Sequence, residues 1–206
     1  MTSGSARSLC VFCASSERID PRYVRLAAGV GREVARRGWT LVSGGGSVSC
    51  MGAVARAARA GGARTVGVVP RALVDLEVAD HEADELVVTD DMRQRKGEMD
   101  RRSDAFLALP GGIGTLEELL EVWVARTLGM HAKPVVVLDP DGVYAPLRAQ
   151  VDRLVDGGFV RPASRDSLRW ATGVAEALDA VERAWAEDVA AVSAAGVVEE
   201  MLEAEP

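Results

Sequence analysis

Lysine is almost missing from this 206-residue chain: only Lys96 and Lys133 stand among its 24 basic residues, and all the others are arginine. Schiff-base chemistry therefore has two candidates and no more. An excess of basic charge is lacking too. With a formal net charge of −7 and a pI near 5.0, no nucleic-acid surface is expected, and any phosphate site has to be a local arrangement rather than a general field. Cysteine is scarce. Cys10, Cys13 and Cys50 are an odd set without a disulfide framework. Cys10 and Cys13 form a C-x-x-C, but no second cysteine pair or nearby histidine completes a zinc set, so both read as buried strand cysteines and no metal is expected. No apolar run approaches the roughly 20 residues that cross a bilayer. The opening MTSGSARS lacks the apolar core of a signal peptide. A cytoplasmic protein without a membrane partner is the expectation.

What the chain does have is apolar residues, 48% of the total with a mean hydropathy of +0.07. That suffices for one sizeable core. Short apolar runs near 9–13, 40–42, 65–69, 86–89, 105–109 and 134–138 alternate with helical spacing, for instance Tyr23, Ala27, Val30 and Val34. Such alternation predicts a doubly wound α/β sheet, mainly parallel, Rossmann-like and flanked by helices. The expected organisation is a tail over 1–7, one domain over 8–186 and an Ala/Glu-rich tail over 187–206. Helices are expected at Asp91–Arg102, Val143–Val155 and Val174–Trp185, and Arg71–Glu85 reads as an irregular acidic rim.

Two glycine clusters share one grammar of strand, glycine turn and helix. Leu107–Glu121 reads LALPGGIGTLEELLE: Pro110 stops a strand, Gly111, Gly112 and Gly114 free the backbone, and an amphipathic helix follows. Amides without a Cβ in the way can converge on an anion at the helix N-terminus, where unpaired donors and the dipole favour negative charge. Ser43–Gly52, SGGGSVSCMG, repeats the pattern but matches neither a Rossmann fingerprint nor a Walker A loop. In an open parallel sheet both turns would lie at the carboxyl edge and could face one ligand. Two readings of Glu118 stay open. Thr115-x-x-Glu118 fits a capping box, in which the carboxylate only bonds back to the cap; alternatively Glu118 faces the ligand. The helix over 91–102 carries Arg93, Arg95, Lys96, Arg101 and Arg102, either as a solvated face or as part of a site.

PGGIGTLEE, MRQRK at 92–96 and SGGGSVSCMG, together with FCASS and LGMHAKP, resemble the Lonely Guy family, the cytokinin riboside 5′-monophosphate phosphoribohydrolases. The resemblance runs from about Ser8 to about Ala184. Databases have long labelled such proteins possible lysine decarboxylases. The resemblance implies hydrolysis of the N-glycosidic bond of a purine nucleoside 5′-monophosphate, with AMP or N6-modified AMP as substrate and no cofactor. It places the catalytic roles on Arg95 and Glu118. Lys96 follows as a ligand contact, Gly111, Gly112, Gly114 and Thr115 as the phosphate loop, Glu77 as a substrate-contacting glutamate, and Ser15 and Gly45 as flanking loop residues. It also implies a homodimer.

The chemistry suits these residue types. Cleavage passes through an oxocarbenium-like transition state, which a carboxylate can stabilise or serve by activating water. In the first turn of a helix Glu118 would be held ionised by the dipole. Arg95, always charged, can neutralise or orient the departing base. The chain departs from the family pattern at Ser43, Ser49 and Cys50, which replace tyrosine, glycine and leucine, and at Val124–Thr127, which stand where the family commonly has the T-W-A-Q of T-W-A-Q-L-G. These departures motivate an alternative of the same fold, a nucleotide-binding carrier or sensor without turnover.

Overall fold

The computed structural model describes residues 6–74 and 79–187. Seven strands form one sheet: β1 (Ser8–Phe12), β2 (Thr40–Ser43), β3 (Thr65–Pro70), β4 (Glu85–Thr89), β5 (Ala105–Ala108), β6 (Val135–Leu138) and β7 (Leu168–Ala171). Their order is β4-β3-β2-β1-β5-β6-β7, and every pairing is parallel. The chain winds outward from β1 through β2 and β3 to β4, returns to place β5 on the other side of β1, and then winds outward again. The doubly wound α/β expectation holds, with a sheet that is wholly parallel. The reversal between β1 and β5 opens a crevice at the carboxyl ends of these two strands, the place where such sheets take ligands.

The helices are α1 (Pro21–Arg36), α2 (Ser49–Ala60), α3 (Arg71–Val74), α4 (Met92–Arg101), α5 (Ile113–Thr127), α6 (Ala145–Asp156) and α7 (Pro162–Asp166); residues 174–187 are also helical. β1 shows how the layers form. Its side chains alternate faces, Leu9 and Val11 packing under α1, α2 and the last helix while Cys10 and Phe12 pack under α4, α5 and α6. Local chemistry starts the helices where the sequence indicates. Asp20 caps α1 by accepting from the Arg22 amide at 2.9 Å, with Pro21 at the first helical position. Asp91 caps α4 through the Gln94 amide at 2.8 Å. Among the described residues no helix is long and apolar enough to cross a membrane.

Three elements were not expected from the sequence: α7, a short helix of five residues (Pro162–Asp166), β7 and α3. β7, LRWA, is an edge strand of four residues whose middle pair is only half-buried. It carries no apolar run, because an edge strand with one neighbour does not need one. α3 is a single turn within the segment expected to be irregular. The tail over 188–206, and Glu77 within 75–78, lie outside the described residues.

Candidate active site

The loop after β5 is the floor of the site. Leu109 continues past the strand and donates its amide to the Phe12 carbonyl at 2.9 Å, so the chain enters the glycine turn from a pinned position beside β1. α5 begins at Ile113 with Gly112 as its N-cap, and no side chain caps it. The first amides of α5 are therefore left for something else to satisfy. Gly111 cannot be replaced cheaply: a Cβ there would lie 2.2 Å from Thr115 Oγ1, and Thr115 is itself buried.

The cap settles one alternative. With Gly112 as N-cap, Thr115 is the third helical residue and Glu118 sits in the second turn. The capping-box reading and the first-turn dipole argument for Glu118 both fail for this reason. Glu118 turns instead toward α4, where its Oε1 accepts from Nη1 of Arg95 at 2.7 Å. Arg95 is only 6% exposed. It also donates from Nε to the Val68 carbonyl at 3.1 Å, which fixes the guanidinium against β3. Of the basic residues on α4, Arg95 alone is buried. Arg101 and Arg102 pair with Glu98, and Arg102 also with Glu85, on the outer face.

Electrostatics at Glu118 run opposite to the sequence expectation. Burial pushes its carboxyl above the ordinary glutamate value, while the charge and hydrogen bond of Arg95 pull it back only in part. A carboxylate so placed is a better proton acceptor than a solvated one.

The second glycine turn makes room for the arginine. A Cβ on Gly44 would lie 1.9 Å from Arg95 Nη2. Gly44 and Gly46 line the same cavity, about 790 Å³, as Ser15, Arg95, the 111–115 turn and Glu118. Gly45 takes a left-handed φ of +71° and turns toward β3, its carbonyl accepting from the Asp80 amide at 2.8 Å. The structure thus brings together Ser15, Arg95, Gly111, Gly112, Gly114, Thr115 and Glu118 from the expected set, and sets Gly45 behind them.

Lys96 lies elsewhere. It pairs with Glu117 and, at 2.7 Å, with Glu121, on the flank of a second cavity of about 580 Å³. Phe12, Leu120, Val124 and Met130 help form its largely apolar wall, and Glu118 is the residue common to both cavities that also carries charge. The three cysteines are buried and free. Cys10 lies in β1 as expected, Cys13 lies just past the end of β1 rather than in the strand, and Cys50 lies in α2. Tyr23, Met51, Met92 and Val143 line the main cavity without having been foreseen. Their signal is tertiary, since Tyr23, Met51 and Met92 stand in the first turns of three different helices and Val143 lies ahead of a fourth.

A family model described as "Possible lysine decarboxylase" matches residues 51–181. A Mycobacterium tuberculosis protein named cytokinin riboside 5′-monophosphate phosphoribohydrolase is 52% identical over 173 residues, covering 84% of this chain and 92% of that protein. An Arabidopsis thaliana protein of the same name is 46% identical over 164 residues, with coverage of 80% and 76%. Among solved structures, the molybdenum cofactor binding protein of Rippkaea orientalis superposes with a TM-score of 0.67 at 21% identity, covering 86% of this chain and 96% of that one. At that identity the likeness concerns the fold alone.

Proposed function

We infer the activity from one premise: this chain belongs to the family described as possible lysine decarboxylases, in which its curated relatives are phosphoribohydrolases. The reaction we propose adds water across the N-glycosidic bond of a purine nucleoside 5′-monophosphate, AMP or an N6-modified AMP, to give free base and ribose 5-phosphate. The observation that carries this reading is the buried contact of Arg95 with Glu118 at 2.7 Å, facing one cavity with an uncapped glycine-rich helix start.

In this arrangement the 5′-phosphate takes the free amides of the 111–115 turn and the favourable end of the α5 dipole. Binding energy from that remote group orients the sugar against Glu118. The Glu118 carboxylate takes a proton from the attacking water as positive charge grows on the ribose, and Arg95 balances charge that develops as the base departs. A decarboxylase built on a lysine Schiff base fits less well: Lys96 is paired with glutamates, Lys133 with Asp100, and neither lines the main cavity.

Two further readings accompany this one. The exposed apolar stripe on α5, with Val124 at 51% and Leu128 at 64% exposure, flanks the second cavity and suits a homodimer contact. Three buried, unpaired cysteines suit the cytoplasm.

Incubation with AMP, with adenine followed by chromatography, tests the activity. Wild type is expected to release adenine, and Arg95→Ala and Glu118→Gln to lose about 100-fold or more. Equal rates in all three proteins would overturn the roles, and AMP binding without adenine release would favour a carrier.

A further inference from the structure

Glycine turns that hold an anion need an external anchor, because their own backbone is soft. Here the anchor comes from the next strand–helix connection. Tyr144, buried and just before α6, donates from its phenol to the carbonyl of Leu109 at 2.8 Å. Leu109 immediately precedes Pro110, so the hydroxyl holds the chain where it enters the phosphate turn.

Tyr144 is fixed in its turn. Oδ2 of Asp139 accepts from the Tyr144 amide and Oδ1 from the Val143 amide, each at 2.8 Å. The Asp139 amide donates to the Ala171 carbonyl at 2.9 Å, which ties this segment to β7. A continuous path of hydrogen bonds therefore runs from β7 through Asp139 and Tyr144 to the end of β5, and Leu109 completes it by its bond to Phe12 on β1. The phenol stays protonated, because burial pushes it far above the ordinary tyrosine range. It thus remains available as the donor to Leu109.

We propose that Tyr144 is a positioning residue that sets the Pro110–Gly112 turn for the 5′-phosphate, with Asp139 holding Tyr144 in place. This rests on the nucleotide reading of the cavity given above. The hydroxyl acts on phosphate affinity rather than on bond cleavage, since its bond is to the Leu109 carbonyl at the entry to the turn. Nothing in the packing of the ring requires it; phenylalanine would fill the same volume.

The experiment measures ribose 5-phosphate binding by calorimetry, and KM and kcat for AMP, in wild type, Tyr144→Phe and Asp139→Asn. Tyr144→Phe is expected to weaken ribose 5-phosphate and to raise KM by about tenfold, the size of one lost hydrogen bond, with kcat changed less than threefold. Asp139→Asn, which keeps the phenol but loosens its support, should move the same two quantities in the same direction by less. Unchanged ribose 5-phosphate affinity in a folded Tyr144→Phe protein would overturn the proposal, as would a loss confined to kcat. Should Tyr144→Phe fail to fold, Asp139→Asn decides in the same assay. Wild type that does not bind ribose 5-phosphate would instead overturn the phosphate reading itself, and this proposal with it.

Discussion

Arg95 on α4 and Glu118 on α5 meet at 2.7 Å with both side chains nearly shut off from solvent, although 23 residues separate them in the chain. Removing one partner strands the other in a low-dielectric setting. The pair is therefore a poor device for stability alone, and both residues line the main cavity.

The first consequence is a pH profile. Burial raises the Glu118 carboxyl above its ordinary value of 4.5, so the ionised base is lost as pH falls through a raised pKa. The acid limb of kcat for AMP hydrolysis is expected to lie above the position an exposed glutamate would give, and a rate profile in AMP measures it. The stability sign follows from the same shift. A carboxyl with a raised folded pKa opposes folding, so its cost is absent below the unfolded value of 4.5, grows as pH rises above that value, and is complete once pH exceeds the raised folded pKa.

Gly44 should be intolerant for a reason unconnected with its backbone angles. A methyl group there meets the Arg95 guanidinium at 1.9 Å, so Gly44→Ala must displace the arginine. Adenine release is expected to fall about as far as in Arg95→Ala, with the protein still folded by circular dichroism. Gly114 makes the contrast: nothing lies within 4 Å of its added Cβ, and alanine is a better helix former by about 1 kcal/mol. Gly114→Ala should melt no lower than wild type.

Ser49 holds a left-handed φ of 51° at the start of α2, which a non-glycine residue adopts at a cost. Its hydroxyl donates to the Ser16 carbonyl at 2.6 Å, tying α2 to the loop after β1. Ser49→Gly loses that bond and relieves the strain, whereas Ser49→Ala loses the bond and keeps the strain. The expected order of melting temperature places Ser49→Ala lowest, about 1 kcal/mol below Ser49→Gly.

The α5 stripe predicts an oligomer. Val124→Asp puts a charge at the centre of the exposed apolar face. Light scattering after size exclusion should find wild type as a dimer and this variant shifted toward monomer. A monomeric wild type would remove the dimer reading.

Much of the fold was legible because buried parallel strands must be apolar on both faces. Leu107–Leu109 and Val135–Leu138 announce themselves for that reason, and the glycine turn after β5 announces the ligand edge. The edge strand β7 did not, since Arg169 and Trp170 are only half-covered and give no run. At the site, Arg95, Glu118 and the 111–115 turn could be found from residue types in a recognised pattern. The direction of the Glu118 shift could not. It depends on where α5 begins and on what buries the carboxylate, neither of which is set by nearby residues.

The sequence by itself thus determined the alternation of strands and helices, the scarcity of lysine and the glycine turns, because each follows from local backbone freedom and the need to bury apolar side chains. Only the tertiary structure decided that Gly44 clears space for Arg95, that Lys96 faces the second cavity, and that the Tyr144 hydroxyl bonds the Leu109 carbonyl ahead of the glycine turn. Those relations depend on strand order, which brings β1, β5 and β6 side by side, and hydrogen bonds between separate connections exist only once that order is formed.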